Sequence, residues 1–323
     1  MNYSYKLLMF QVILISSLMS ISTNSWMIMW IMLEAATMML IPIMINQMET
    51  QSIESAIKYF MIQALASSIM LLILLMMEVL PPQIIGKINN IISMILILKI
   101  GMPPFHYWYP QVMENISWTP NLILLTLNKI PMLNMLSLNF SPSMMMIIVI
   151  LSISIAGLLG INQTSIRKIM AYSSMTQMSW IMLSMWIKSL WMFYLFMYSL
   201  MLIPLVILMT SYNLYFMKQI SFMPVYPMIL LIIYFLMLAG LPPLPGFFIK
   251  CMIMSNIMTT NLMWFSYEII ILTLLSTYFY MTTIMKPMMI TKMMLPTTMM
   301  NNSMLNHTLI ITLNFGLLIF ILV

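Results

Sequence analysis

Thiol and acidic side chains are scarce in this chain. Its 323 residues include one cysteine, Cys251, and no aspartate, and all six acidic residues are glutamates. A single cysteine excludes an internal disulfide, an iron–sulfur cluster and a cysteine-based zinc site within the chain. The two histidines, His106 and His307, lie far apart in the sequence. We therefore expect no metal site here.

Glycine and charge are also rare. None of the seven glycines forms a G-x-G-x-x-G phosphate-binding motif. Charged residues make up 6% of the chain, the net charge is +6, and the longest basic run is the pair Arg167-Lys168. This charge is too sparse for nucleic-acid binding. We expect no cofactor in this chain, so any redox cofactor belongs to partner proteins.

Apolar residues are abundant instead. The hydrophobic fraction is 63% and the mean hydropathy is +1.04, which excludes a soluble globular domain. The 48 methionines are spread over nearly every apolar segment. They are typical of lipid-facing replacements for leucine and isoleucine rather than of a copper-binding cluster. The bias also suits an AT-rich organelle gene.

The sequence predicts an all-α polytopic membrane protein of about eleven transmembrane helices. A helix needs about 20 apolar residues to cross a bilayer. The first apolar segment could be a signal peptide, but it lacks a clean cleavage site and the next segment follows at once. The candidates are about 6–23, 26–46, 56–80, 86–112, 119–137, 143–161, 165–187, 189–211, 225–257, 262–285 and 305–323.

Two of these segments are too long for one straight helix, and both contain a break. The fourth contains K-I-G-M-P-P-F-H at 99–106, and the ninth contains L-A-G-L-P-P-L-P-G-F-F-I-K at 238–250. Paired prolines interrupt the helical hydrogen bonds, and glycine tolerates the dihedrals of a break. Two interrupted segments in separated halves indicate a transporter built from repeats, although two ordinary proline kinks are the alternative.

We therefore predict a single transmembrane domain over 1–323. Its first half-repeat covers about 1–140 with a broken helix near 99–106. Its second covers about 141–290 with a broken helix near 238–250, and a final helix follows at about 305–323.

Basic residues between the segments predict the orientation. With eleven spans, seven basic residues flank the N-terminal side of the membrane and two flank the other side. The excess places the N-terminus on the cytoplasmic or matrix side. The seven are Lys6, Lys58, Arg167, Lys168, Lys218, Lys286 and Lys292, and the two are Lys87 and Lys188.

Four ionisable residues lie in otherwise apolar segments: Glu34, Lys99, Lys129 and Lys250. Each costs about 2.5–3.5 kcal/mol at the bilayer centre, and such residues mark proton or ion pathways. Burial favours the neutral amine of a lysine, which suits a proton carrier. Glu34 is the expected partner of Lys99, directly or through one water. A static buried pair is the alternative for these two, and snorkelling is the alternative for Lys129 and Lys250.

Further polar residues could assist a proton relay. Gln177 lies in the seventh segment with Ser173, Ser174 and Thr176, and we expect it to face the interior beside a hydrated path between Lys129 and Lys250. His106 follows the first break and is either a relay group or a satisfied polar residue. Glu54 and Lys58 are four residues apart, which is typical of a pair on one helix surface.

Five strings along the chain belong together. They are W-I-M-L-E at 30–34, S-A-I-K-Y-F at 55–60, L-K-I-G-M-P-P-F-H-Y-W-Y-P at 98–110, L-G-I-N-Q-T-S-I-R-K-I-M-A-Y-S-S at 159–174 and A-G-L-P-P-L-P-G-F at 239–247. Together they resemble the subunit 2 family of mitochondrial NADH dehydrogenase, the antiporter-like subunits of respiratory complex I. The resemblance covers essentially the whole chain.

This resemblance implies inverted repeats, the mitochondrial inner membrane and proton translocation coupled to ubiquinone reduction by NADH. It implies neighbouring antiporter-like subunits and lipids such as cardiolipin as partners, with NADH, FMN, iron–sulfur clusters and ubiquinone bound by other subunits. The family's relay residues match Glu34, Lys99, Lys129 and Lys250. Many relatives have histidine where this chain has Gln177. A stand-alone cation/proton antiporter and a purely structural membrane subunit remain the alternatives.

Overall fold

The computed structural model describes residues 3–45, 49–77, 82–139, 141–186, 190–242, 244–258 and 263–291. The regular structure of these residues is helical, apart from one isolated antiparallel bridge between Ser165 and Phe216. This confirms the all-α prediction. The predicted final helix at 305–323, His307, Lys188 and Lys292 lie outside the described residues, as do the side chains of Lys87 and Lys286.

The chain divides into two compact units, Met1–Ser152 and Ile153–Val323, with the boundary inside one helix. The helices of the first unit are α1 (Tyr3–Ser22), α2 (Trp26–Met44), α3 (Thr50–Met77), α4 (Pro82–Ile100), α5 (Trp108–Asn115), α6 (Trp118–Leu125), α7 (Lys129–Leu138) and the beginning of α8 (Pro142–Ile161).

The second unit contains the remainder of α8 and six further helices. They are α9 (Ile166–Ser184), α10 (Leu190–Ser211), α11 (Met217–Ile220), α12 (Val225–Ala239), α13 (Pro245–Met258) and α14 (Met263–Thr291). The long predicted segments at 86–112 and 225–257 are therefore each two helices, α4 with α5 and α12 with α13, as their proline pairs predict.

The predicted count of eleven spans is not confirmed. Seven helical segments of the described chain are long and apolar enough to cross a membrane: Tyr5–Ser22, Trp26–Met44, Thr50–Met77, Trp118–Leu138, Pro142–Ile161, Leu190–Ser211 and Trp264–Met285. Shorter apolar helices at Ile88–Ile100, Val225–Ala239 and Pro245–Met258 belong to the broken segments. Many large apolar side chains on these helices are exposed, which is typical of a surface that faces lipid.

Helix α9 covers the predicted span at 165–187 but is much more polar than the seven spanning segments. It carries serine, threonine and glutamine along its length, and nearly every residue from Ile166 to Ser184 is buried. Its polar side chains are thus shielded by the neighbouring helices, with α10 on one side and α13 on another. A buried helix of this kind can hold polar groups that a lipid-facing helix cannot.

In the first unit, α2 is central: it packs against α1, α3, α6 and α7. In the second unit, α12 packs against α10, α13 and α14. Close approach between α8 and α14 depends on Gly157 and Gly160, because a Cβ atom at these positions would collide with Leu275 and Phe279 respectively. The broken helix α12 is thus central in the second unit, whereas α4 of the first unit packs against α3 and α7.

Candidate functional site

The first break begins at Gly101, which ends α4 in the left-handed conformation with φ of 80°. The Met102 amide donates to the Ile97 carbonyl at 3.1 Å, and the Gly101 amide donates to the Leu98 carbonyl at 3.1 Å. This pair of bonds is the Schellman motif, in which glycine at the left-handed position closes the helix. The chain resumes as α5 at Trp108.

Two side chains cap carbonyl groups at the end of α4. The Gln63 Nε2 donates to the Lys99 carbonyl at 3.0 Å, and the Trp108 Nε1 donates to the Leu98 carbonyl at 3.2 Å. Gln63 is 2% exposed and comes from the neighbouring helix α3. The last carbonyls of a helix have no partner in their own helix. These caps therefore stabilise the broken end inside the protein.

Lys99 forms a buried ion pair with Glu34, as the sequence predicted. The Lys99 Nζ lies 3.0 Å from the Glu34 Oε1, and the exposed fractions of the two side chains are 0% and 16%. Glu34 projects from α2 toward the last turn of α4. The C-terminal end of a helix dipole also attracts a cation at that position. The pair is thus held by both charge and helix geometry.

Lys129 is buried at the first residue of α7, with 3% of its surface exposed. The span predicted at 119–137 is interrupted here by a turn at 126–128 between α6 and α7. The Lys129 Nζ lies 5.0 Å from the centre of the Tyr109 ring, which is a cation–π distance. The snorkelling alternative is therefore wrong for this lysine, because its side chain points into the first unit.

Sequence reasoning missed a polar cluster between these groups. The Asn128 Nδ2 donates to the Tyr59 hydroxyl at 2.7 Å, and both residues are buried. The Tyr59 ring also packs at 6.0 Å from the Trp108 ring. Tyr59 and Gln63 lie four residues apart on α3, so they share one face of that helix. The spacing of these two residues is a weak signal, because α3 carries several other polar residues.

The second break has the same local design. Gly240 ends α12 with φ of 75°, its amide donates to the Met237 carbonyl at 3.1 Å, and the Leu241 amide donates to the Leu236 carbonyl at 3.4 Å. The string G-M-P-P at 101–104 thus corresponds to G-L-P-P at 240–243. A Cβ atom at Gly246 would collide with the Met237 carbonyl oxygen, so α13 requires glycine there to return close to α12.

Lys250 folds back onto this break. Its Nζ donates to the Ala239 carbonyl at 2.8 Å and lies 5.5 Å from the centre of the Trp180 ring. The lysine therefore caps the end of α12, although it lies eleven residues later in the chain. The snorkelling alternative is wrong for Lys250 as well, because its ammonium is directed to a carbonyl inside the second unit.

Gln177 faces the interior, as predicted, with 4% of its surface exposed. Its Nε2 donates to the Leu238 carbonyl at 2.8 Å, and its Oε1 accepts a hydrogen bond from the Tyr194 hydroxyl at 2.5 Å. The Tyr280 hydroxyl faces the same group of side chains. Gln177 and Trp180 lie three residues apart on α9, so both are directed to the break that Lys250 caps.

The remaining predicted residues lie outside these polar clusters or bond within their own helix. Glu54 and Lys58 form a surface ion pair at 2.7 Å, which confirms that prediction. Ser173, Ser174 and Thr176 donate to carbonyls three residues earlier in their own helix. His106 is half-buried within the first break, near the Pro104 backbone. Among the described residues, no three histidine, cysteine or acidic side chains cluster in a way that could hold a metal ion.

Comparison with known proteins assigns the class first. The family described as NADH:quinone oxidoreductase/Mrp antiporter, TM, matches residues 23–277. Three solved structures share the fold. A chain of respiratory complex I from Thermus thermophilus with bound aureothin has a TM-score of 0.80 at 20% identity, covering 87% of this chain and 70% of its own length. The membrane-bound sulfane sulfur reductase, an archaeal respiratory membrane complex, gives 0.79 at 16% identity, covering 96% and 72%.

The third structure, the Mrp complex from Dietzia sp. DQ12-45-1b, gives a TM-score of 0.71 at 14% identity and covers 80% of this chain and 55% of its own. Two sequence relatives narrow the assignment. NADH-ubiquinone oxidoreductase chain 2 of Anopheles gambiae is 37% identical over 83% of this chain and 82% of its own, and that of Aedes aegypti is 34% identical over 97% and 96%. The chain belongs to the NADH-ubiquinone oxidoreductase chain 2 family, which confirms the resemblance seen in its sequence motifs.

Proposed function

We propose that this chain is a proton-translocating subunit in the membrane arm of NADH:ubiquinone oxidoreductase, with Glu34, Lys99, Lys129 and Lys250 as the groups that carry protons. The observation that supports this best is the Glu34–Lys99 ion pair, whose lysine is fully buried at the broken end of α4 and whose glutamate is 16% exposed. Removing such charges from water is costly, and a membrane helix retains them where they mark a pathway. The chain itself carries out no redox chemistry.

The pair supplies a proton switch. While the Glu34 carboxylate is charged, it stabilises the charged form of Lys99. When the carboxylate is neutralised or moves away, burial favours the neutral amine and Lys99 releases its proton. Lys129 and Lys250 receive and pass protons in the same way, with Gln177 ordering water beside Lys250 and His106 as a further polar group at the first break. A neutral amide can donate and accept hydrogen bonds, which is what ordering water requires.

The protein is a multi-pass membrane protein, and we place it in the mitochondrial inner membrane with its N-terminus on the matrix side. Two contacts support the placement of basic residues on one side of the membrane, on which this orientation depends. The Ile166 amide donates to the Tyr215 carbonyl at 2.9 Å, and the Arg167 guanidinium lies 4.7 Å from the centre of the Tyr215 ring. Arg167, Lys168 and Lys218 thus lie at the same end of the second unit.

Its partners in this role are other membrane subunits of the complex, especially neighbouring antiporter-like subunits. NADH, FMN, the iron–sulfur clusters and ubiquinone are bound by other chains. Lipids, including cardiolipin, cover the exposed apolar side chains. The two half-repeats, about 1–140 and 141–290 with a final helix at about 305–323, remain our interpretation of the chain. The shared G-x-P-P break in each half supports it.

A stand-alone cation/proton antiporter is the second candidate, because the fold is shared with an Mrp complex. The two functions differ in which proteins co-purify with the chain. We expect native purification from mitochondrial membranes to recover this chain with NADH-oxidising activity. Recovery of the chain alone, together with cation-driven proton transport in vesicles, would favour the antiporter.

The relay itself is tested by substitution in the assembled complex. We expect Lys99→Ala and Lys129→Ala to depress proton uptake coupled to NADH oxidation far more than Gln177→His does. The reason is that histidine retains a donor and an acceptor at position 177, whereas alanine removes the proton-carrying group. The measurement is proton uptake per assembled complex in sealed inner-membrane vesicles. Normal uptake in both lysine variants would contradict the proposed function.

A further inference from the structure

Two proton-carrying groups of the first unit belong to different parts of the fold. The Glu34–Lys99 pair joins α2 to the end of α4, and Lys129 begins α7 after the turn at 126–128. The ammonium of Lys129 faces an aromatic ring, which attracts a cation but accepts no proton. A polar group that lies between the pair and Lys129 would shorten the path of a proton between them.

Tyr59 and Asn128 have the chemistry and the position for this step. Tyr59 is fully buried on α3, and its hydroxyl accepts a hydrogen bond from the Asn128 amide at 2.7 Å. Because that oxygen is the acceptor, its own hydrogen remains available for donation. The Glu34 carboxylate and the Tyr109 hydroxyl lie near enough to act electrostatically on the Tyr59 hydroxyl. Asn128 immediately precedes Lys129 in the chain, so it ties this hydrogen bond to the Lys129 side.

Two further atoms indicate that this region is wet. The Asn128 Oδ1 and the Gln63 Oε1 are buried and accept no hydrogen bond from the described residues. Buried acceptors are nearly always satisfied, and ordered water is the usual partner when protein is not. Gln63 lies one helical turn beyond Tyr59 on the same face of α3, and its amide is already bonded to the Lys99 carbonyl.

We propose that the Tyr59 hydroxyl, positioned by Asn128, is the link that passes protons between Lys129 and the Glu34–Lys99 pair. The inference rests on the proposed function. In each transfer the Tyr59 oxygen gains a proton from the Lys129 ammonium through water, and the Tyr59 O–H bond breaks as its own proton moves to the Glu34 carboxylate. Lys129 becomes a neutral amine, Glu34 becomes a neutral acid, and Tyr59 is again a neutral hydroxyl. The ion pair then loses its attraction and Lys99 is free to release its proton.

The test compares Tyr59→Phe, Lys129→Met and a control, Tyr198→Phe, in sealed inner-membrane vesicles that contain the assembled complex. Tyr198 is equally buried but lies on α10 in the second unit. Phenylalanine keeps the ring that packs on Trp108 and removes only the hydroxyl. NADH oxidation and proton uptake are measured across pH and normalised to the amount of assembled complex on native gels.

We expect Tyr59→Phe to slow proton uptake by about tenfold and to change the shape of its pH profile. This is less than the about 100-fold or larger effect of removing a positioned acid–base group, because water can partly replace the hydroxyl. Tyr198→Phe should match the wild type. Asn128→Leu should have an effect similar to that of Tyr59→Phe, and the double variant should be no worse than either, because both act through one hydrogen bond.

The outcomes distinguish a failure of the Tyr59 link from a failure of the proposed function. Normal proton uptake in Lys129→Met would overturn the proposed function itself. Loss of uptake in Lys129→Met with wild-type behaviour in Tyr59→Phe would overturn the link alone. If Tyr59→Phe does not assemble, Asn128→Leu serves as the deciding variant, and normal uptake with an unchanged pH profile in Asn128→Leu likewise overturns the link.

Discussion

The two helix breaks have the same backbone structure but place their lysines differently. Both α4 and α12 end in a Schellman motif at a left-handed glycine, and in both the carbonyl two residues before that glycine accepts a glutamine amide. The amide belongs to Gln63 at the first break and to Gln177 at the second. The backbone design is thus shared, so what differs is the placement of charge.

At the first break the lysine precedes the glycine, and at the second it follows. Lys99 lies in the last turn of α4 and is paired with a carboxylate. Lys250 lies on α13 and donates to the Ala239 carbonyl of α12. One lysine is therefore neutralised by an opposite charge, and the contacts of the other within the described residues are a carbonyl dipole and an aromatic ring. This difference predicts which substitutions each break will tolerate.

The largest effect is expected from breaking the buried ion pair. Glu34→Gln removes the counter-charge of buried Lys99, so the lysine must either keep an unpaired charge or lose its proton, and breaking a buried pair in this way costs about 3–5 kcal/mol. We expect a marked loss of assembled complex and a lower melting temperature. The double variant Glu34→Gln with Lys99→Met should recover much of the stability but no proton uptake. If the single Glu34→Gln variant is as stable as the wild type, the charge of Glu34 does not contribute to the stability of the protein.

A smaller effect is expected from the two glutamine caps, and it should differ between the breaks. Gln177→Leu leaves the Leu238 carbonyl and the Tyr194 hydroxyl without their partner, whereas Gln63→Leu strands only the Lys99 carbonyl. Each stranded group costs about 1–3 kcal/mol.

We therefore expect Gln177→Leu to lower the melting temperature of the complex more than Gln63→Leu. Gln163→Leu is the matched control, since its amide donates to the Leu159 carbonyl at an exposed helix end. Equal losses for Gln63→Leu and Gln177→Leu would indicate that the second hydrogen bond of Gln177 contributes little.

The smallest effect is expected from the exposed ion pair, which serves as a control for the Glu34–Lys99 pair. Glu54 and Lys58 are 2.7 Å apart, but their side chains are 60% and 43% exposed. Exposed pairs at this helical spacing contribute about 0.3–0.5 kcal/mol. Glu54→Gln should leave assembly, melting temperature and proton uptake near wild-type values. A loss as large as that of Glu34→Gln would mean that Glu54 contacts a partner protein.

The sequence was informative where one residue type dictates one conformation or one environment. Gly101 and the following prolines predicted the first break, because few other residues adopt that backbone. Glu34 and Lys99 predicted each other, because a buried charge in an apolar helix requires a partner. The neutral amide of Gln177 predicted an interior position, because an amide that faces lipid has no hydrogen-bond partner. These inferences depend on strong local penalties, and the structure bears them out.

Long-range polar contacts were not predictable in the same way. Gln63, Asn128 and Tyr194 are ordinary residues in sequence, and each gains its role from a group at least 17 positions away. The turn at 126–128 was not located either: the sequence predicted one span over 119–137, although Pro131 lies within it. The span count is not confirmed at α9, because hydropathy identifies lipid-facing helices and α9 is enclosed by protein.

The position of Lys250 has an electrical consequence. Within the described chain, its ammonium has no carboxylate within ion-pair distance. In its protonated form it therefore adds a full charge to its surroundings, whereas Glu34 and Lys99 together add none. A membrane voltage does work on a net charge, about 2.3 kcal/mol per elementary charge across 100 mV. The voltage across an energised membrane thus biases the protonation of Lys250 directly, while the Glu34–Lys99 pair is nearly insensitive to it until a proton separates its two members.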